Sequence, residues 1–126
     1  MRLTHLPVIC LLLLLAACGR EEAGAVPDRP FQSDGVRFSL TPSAARDCDP
    51  GTLYEAVLSW QVETTGSQRL EIRVDSTDGP LFARSDEASG EARTGPWVRR
   101  GMWFVLVDRR SGRVLAAQRA GPEHCD

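Results

Sequence analysis

From position 36 onward apolar residues recur at every second place, the period of a strand that lies with one face on a core. Val36, Phe38 and Leu40 form one such row, ended by Thr41 and Pro42. Ala56, Leu58, Trp60 and Val62 form a second, with Glu55, Ser59, Gln61 and Glu63 on the opposite face. Leu70, Ile72 and Val74 form a third, set against Glu71, Arg73 and Asp75. Helical spacing is scarce. A short strand is expected around Leu81 to Arg84, and an edge strand near Glu91 to Thr94. Pro96 keeps that region off a central place, because proline donates nothing to a ladder. Residues 101–118 read as two strands joined by a short loop, with Gly112 in a left-handed position. There Met102, Phe104 and Leu106 face inward and leave Trp103, Val105 and Val107 on the other side, so the strand requires cover on both faces. The signals "TTGSQ" and "STDGP" separate the rows, each with a glycine to supply the positive φ of a tight reversal.

About seven short strands, with turns every eight to twelve residues or so, predict an all-β fold. The expectation is a single seven-stranded antiparallel β-sandwich over residues 35–126. It resembles immunoglobulin-like and fibronectin type III-like modules. Trp60 on the second strand is similar to the core tryptophan of fibronectin-type domains, and "TGPWV" followed by "GMWFVLVD" resembles modules of bacterial envelope and polysaccharide-related proteins. The immunoglobulin disulfide joins two facing strands, whereas Cys48 precedes the second strand here and Cys125 lies near the terminus.

The start of the chain follows a different pattern. Arg2 gives a positive start and an apolar run from Leu6 to Ala17 ends in small residues, so residues 1–17 read as a targeting segment. That run is shorter than the roughly twenty apolar residues a membrane-crossing helix needs. Leu15, Ala16, Ala17 and Cys18 resemble the lipobox of bacterial lipoprotein precursors, which implies cleavage before Cys18 and acylation of its thiol and new amino terminus. Lipid chains contribute about 0.8 kcal/mol per buried methylene, and two signals suffice for stable anchoring. The alternative is an ordinary secretory leader with a chance cysteine near its cut. By the same resemblance Gly19, in place of the aspartate of inner-membrane retention, favours the outer membrane facing the periplasm. Residues 18–34, rich in Gly, Pro and charge, form a flexible tether that spans roughly 20 to 24 Å as a coil.

Cleavage removes Cys10 and lipidation consumes Cys18, which leaves Cys48 and Cys125 in an oxidising compartment. A disulfide between them is the economical reading. The rival is a metal site built from His124, Cys125, Cys48 and Asp47 or Asp49, although the paired spacings of structural zinc sites are missing. No metal or cofactor is expected.

Composition narrows function mainly by exclusion. A formal net charge of −2 does not point to nucleic acid or anionic lipid as a partner. All fifteen basic residues are arginine. After cleavage the only histidine is His124, too near the end to be held in a triad. The acidic pairs Asp47 with Asp49 and Asp86 with Glu87 read as turn formers, and no phosphate-cradling glycine loop occurs. What remains is surface: Trp97, Arg99, Arg100 and Trp103 crowd aromatic and cationic groups together, the residue types that dominate interface energies. The bland alternative has one tryptophan capping the core and the arginines solvated. The expected function is therefore that of a membrane-anchored, non-enzymatic binding lipoprotein of the cell envelope, acting on a protein or glycan. An inhibitor or immunity-type lipoprotein that blocks a secreted hydrolase is the alternative.

Overall fold

A computed structural model of the chain describes residues 26–63 and 68–125. The leader, the lipobox with Cys18, residues 18–25 of the tether and most of the "TTGSQ" turn lie outside the described residues. The alternating rows become strands: β1 (Phe31–Gln32), β2 (Val36–Thr41), β3 (Val57–Val62), β4 (Leu70–Val74), β5 (Leu81–Ser85), β6 (Ser89–Arg93), β7 (Trp103–Asp108) and β8 (Val114–Arg119). All pair antiparallel in two sheets, a five-stranded one in the order β1-β8-β7-β4-β5 and a three-stranded one in the order β2-β3-β6. No helix occurs among the described residues. Eight strands stand where about seven were expected, because Phe31–Gln32, assigned to the tether, pairs with β8.

One core fills the space between the sheets in a sandwich-like arrangement. Val36, Phe38, Leu40, Leu58, Trp60 and Val62 come from the smaller sheet; Leu70, Ile72, Val74, Phe104, Leu106 and Ala116 come from the larger. The outward positions of the smaller sheet, Arg37, Ser39, Ser59, Gln61 and Glu91, are polar, as the period-two pattern requires. Trp60 lies across its neighbour strand: a Cβ built on its partner Gly90 would fall 2.5 Å from Cζ2 of the indole. Any side chain at position 90 would push the ring out of the core.

Strand β7 is buried on both faces, as its composition demands. Phe104 and Leu106 are fully buried on the inner side; Trp103, Val105 and Val107 are buried on the outer side. The cover on the outer side comes from arginine. Arg119 stands over the Trp103 ring at 5.6 Å, and Arg73 and Arg109 converge on Glu71, the register partner of Val107. Long arginine stems cover apolar surface while their heads reach water.

β2 is an edge strand, and its free side is closed by two amides from the other sheet. The Phe38 N–H donates to Gln32 Oε1 at 2.9 Å, and Gln118 Nε2 donates to the Phe38 carbonyl at 3.0 Å. The brief β1 thus serves to bring Gln32 to the open edge, where unpaired backbone groups would otherwise invite another strand. The "STDGP" turn departs from expectation. Asp75, not Gly79, takes the positive φ, at 69°. Aspartate tolerates that region when its side chain bonds locally, and Asp75 Oδ1 accepts the Trp103 N–H at 3.1 Å. Gly79 is needed for a different reason: a Cβ there would collide with the Val74 carbonyl.

Candidate functional site

The β7–β8 register, Trp103 opposite Arg119, builds the floor of a cleft of about 330 Å³. Gly101, at φ 88°, turns the chain into β7 and donates its N–H to Ala120 O at 2.7 Å. On the far side Ser43 and Ala45 bond Gly121 through two backbone hydrogen bonds of 2.9 Å, which bring the segment after β2 against the chain end. Asp28, Arg29 and Pro30 form the remaining wall, so the cleft lies where the segment before β1 meets the larger sheet. Arg100 is fixed by donating Nε to the Pro122 carbonyl at 2.8 Å. Three guanidiniums, those of Arg29, Arg100 and Arg119, therefore share this cleft with two carboxylates, Asp28 and Glu123.

The four residues of the expected patch are not one surface. Arg100 and Trp103 meet in the cleft. Trp97 belongs with the inner face, its ring centroid 5.7 Å from Phe82 and 6.1 Å from Phe104, while Trp103 occupies the opposite face of β7. Arg99 is exposed and does not line the cleft. Period-two alternation places Phe104 and Trp103 on opposite faces, and Trp97 follows Phe104. Arg119 and Arg29, which sequence reasoning passes over, take the vacant places. Arg119 is recoverable from the hairpin register; Arg29 is not, since nothing local ties residues 28–30 to residue 103.

Cys48 and Cys125 are joined in a disulfide, with Cα atoms 5.9 Å apart and a sequence separation of 77. It fastens the loop after β2 to the chain end, beside the cleft. Asp47 and Asp49 are occupied in turns. Asp47 Oδ1 accepts from the Asp49 N–H at 3.0 Å and the Thr52 hydroxyl at 2.7 Å, and Asp49 Oδ1 accepts from the Gly51 N–H at 2.8 Å. The Thr52 hydroxyl and the Asp49 N–H hold Asp47 below the ordinary carboxylate range. Among the described residues no three or more His, Cys, Asp or Glu side chains gather as metal ligands would.

A second polar centre lies on the outer face of the larger sheet. Glu71, nearly buried, receives Arg73 through Nε and Nη2 on Oε2 at 3.1 and 2.8 Å, and Arg84 and Arg109 through Nε on Oε1 at 3.1 and 3.2 Å. Burial pushes the Glu71 carboxyl up, but hydrogen bonding from Arg73 and the charges of Arg73, Arg84 and Arg109 outweigh it and leave the group below its ordinary value of 4.5. A carboxylate with a depressed folded-state pKa contributes stability that is complete above 4.5 and lost as pH falls through the folded value. Glu71→Gln is therefore expected to cost about 1.5–3 kcal/mol at pH 7, the range for hydrogen bonds to charged groups. That deficit should close as pH drops below 4.5, which thermal melts of both proteins at stepwise lower pH would show.

Comparison with protein-family models, curated proteins and solved structures finds no match to this chain.

Proposed function

We propose that the chain is a membrane-anchored, non-enzymatic lipoprotein of the cell envelope, held through acyl groups on Cys18 in the outer membrane and facing the periplasm. Its domain works by contact with an envelope protein or glycan. The cleft of Trp103, Arg100, Arg119 and Arg29 is the observation that carries this reading. It combines three cations, Arg100 held on the Pro122 carbonyl and Arg119 over the Trp103 ring, with an aromatic floor and backbone carbonyls, the groups that recognise hydroxyl- and carboxylate-bearing ligands. A disulfide suits an oxidising compartment. With β1 set aside, the strand order β2-β3-β6 against β8-β7-β4-β5 resembles the order of fibronectin type III-like and immunoglobulin-like sandwiches, a scaffold widely used for recognition. Trp60, in the second strand of the smaller sheet, supports that kinship.

Two measurements test the proposal. Mass spectrometry of the native amino terminus is expected to find an acylated Cys18; an unmodified peptide removes the anchor. Crosslinking in intact cells is expected to capture a partner whose yield falls at least tenfold in Arg100→Ala/Arg119→Ala and holds in Arg37→Ala, on the opposite sheet. Equal capture by all three removes the cleft as the contact site. A captured secreted hydrolase that loses activity when bound would identify the inhibitory form of the same contact.

A further inference from the structure

The Glu71 centre carries more positive charge than its structure needs. Three guanidiniums surround one carboxylate and leave a formal charge of +2. Asp108, the nearest acid in the adjoining turn, is engaged there: Oδ1 accepts the Arg110 N–H and Oδ2 the Ser111 hydroxyl, each at 3.0 Å. Asp86 and Glu87 follow β5 into the turn toward the other sheet. Further arginines, Arg69, Arg110 and Arg113, stand exposed at the same end, and the Arg69 carbonyl holds the Arg109 N–H at 2.8 Å.

The three arginines are used unequally. Arg73 is committed, with Nε and Nη2 on Glu71 and Nη1 on the Gly79 carbonyl at 3.2 Å. Arg84 donates Nε to Glu71 Oε1 at 3.1 Å, and Arg109 forms an ion pair with the same oxygen through Nε at 3.2 Å. Two guanidiniums that meet one carboxylate oxygen stand side by side on it. Arg84 is 54 % exposed in its side chain and Arg109 33 %, against 11 % for Glu71. The buried carboxylate fixes two half-exposed cations in position, so little side-chain entropy remains to be lost when an anion docks.

We propose that Arg84 and Arg109, positioned by Glu71, form a binding site for a phosphate monoester. The chemistry fits in charge and in shape. A phosphate monoester carries about −1.5 to −2 at pH 7 and offers three acceptor oxygens, enough to take a terminal N–H from each arginine. A single carboxylate would neutralise only half of the excess. The site lies on the outer face of the β4–β5 edge, at the opposite end of β7 from the Trp103 cleft. It is independent of the function proposed for that cleft. The phosphate could be part of a soluble sugar or of a lipid headgroup, and the site chemistry is the same for both.

The test titrates inorganic phosphate into the full chain in neutral nanodiscs and follows the arginine Nε–Hε resonances by NMR. Saturable shifts at Arg84, Arg109 and the adjoining Arg73 are expected in the millimolar range, weakened at least tenfold in Arg84→Gln/Arg109→Gln as read at Arg73, and kept in Arg37→Gln. The single variant Arg84→Gln, at the most exposed of the three arginines, serves if the double variant unfolds, and should weaken binding severalfold. No saturable shift, or shifts equal in wild type and the folded variants, overturns the proposal. Glucose 6-phosphate against glucose, and nanodiscs with phosphatidic acid against phosphatidylcholine, then assign the source: whichever phosphate form reproduces the shifts is the one the site takes. Loss of acylation at Cys18 would leave this result untouched, so the two proposals fail separately.

Discussion

Cys48→Ser/Cys125→Ser is expected to lower the unfolding free energy by about 3–4 kcal/mol and the midpoint of thermal unfolding by more than about 10 °C. The bond closes a loop of 77 residues that contains six of the eight strands. In the chain-entropy account a loop of that length restricts the unfolded ensemble by roughly 4 to 5 kcal/mol, and measured values commonly fall somewhat below it. For a domain whose total stability lies between about 5 and 15 kcal/mol, the loss is a large fraction. The native contacts near the bond are few, since residues 123–125 are exposed and Cys48 is only half-buried. The effect should therefore act through the unfolded state. Urea unfolding distinguishes the two routes. A freed chain exposes more surface, so the slope of free energy against urea should rise in the variant as the midpoint falls. A change below about 0.5 kcal/mol, or a falling slope, would contradict the entropic account.

The strands are legible in the sequence wherever one face alone meets the core. Val36 to Leu40, Leu58 to Val62 and Leu70 to Val74 alternate without interruption, and β2, β3 and β4 fall on them within a residue or so. The Gly112 reversal is legible because a glycine in a short polar stretch between two apolar runs marks a left-handed turn, and its φ is 72°. β1 is not, because two residues carry no period; Phe31–Gln32 is a strand only because β8 lies beside it. The same limit hides the Glu71 centre. Glu71 and Arg73 share a face by alternation, but Arg84 and Arg109 arrive through the registers of β4 with β5 and with β7. A net charge of −2 averages over faces and conceals a local charge of +2. The Trp97–Trp103 patch misleads for a related reason. Proximity in sequence places two residues on one surface only when the number of residues between them suits the secondary structure, and Trp97 lies in a turn ahead of the strand.

Phe104→Ala is expected to be the most damaging single substitution in the core, at about 3–5 kcal/mol. Phe104 is fully buried in β7, which pairs with β4 on one side and β8 on the other, so the backbone around it cannot collapse into the space left. The ring is also the hub of an aromatic group. Its centroid is 6.2 Å from Phe82, nearly perpendicular, and 6.1 Å from Trp97. Aromatic pairs of this kind contribute about 0.5–1.5 kcal/mol each beyond the area they bury. Trp97→Ala removes a ring that is 36 % exposed, so water can fill its place, and about 1–2 kcal/mol is expected there. The ordering of the two losses tests the assignment of Trp97 to the core margin, not to the cleft. If Trp97 belongs with Phe104, the near-ultraviolet circular dichroism of Phe104→Ala should lose the Trp97 contribution, and Trp97→Ala should leave partner capture by the Arg100 and Arg119 cleft at the wild-type level. A larger stability loss from Trp97→Ala than from Phe104→Ala would place Trp97 at the centre of the core and not at its margin, and a loss of capture with stability intact would return it to the contact surface.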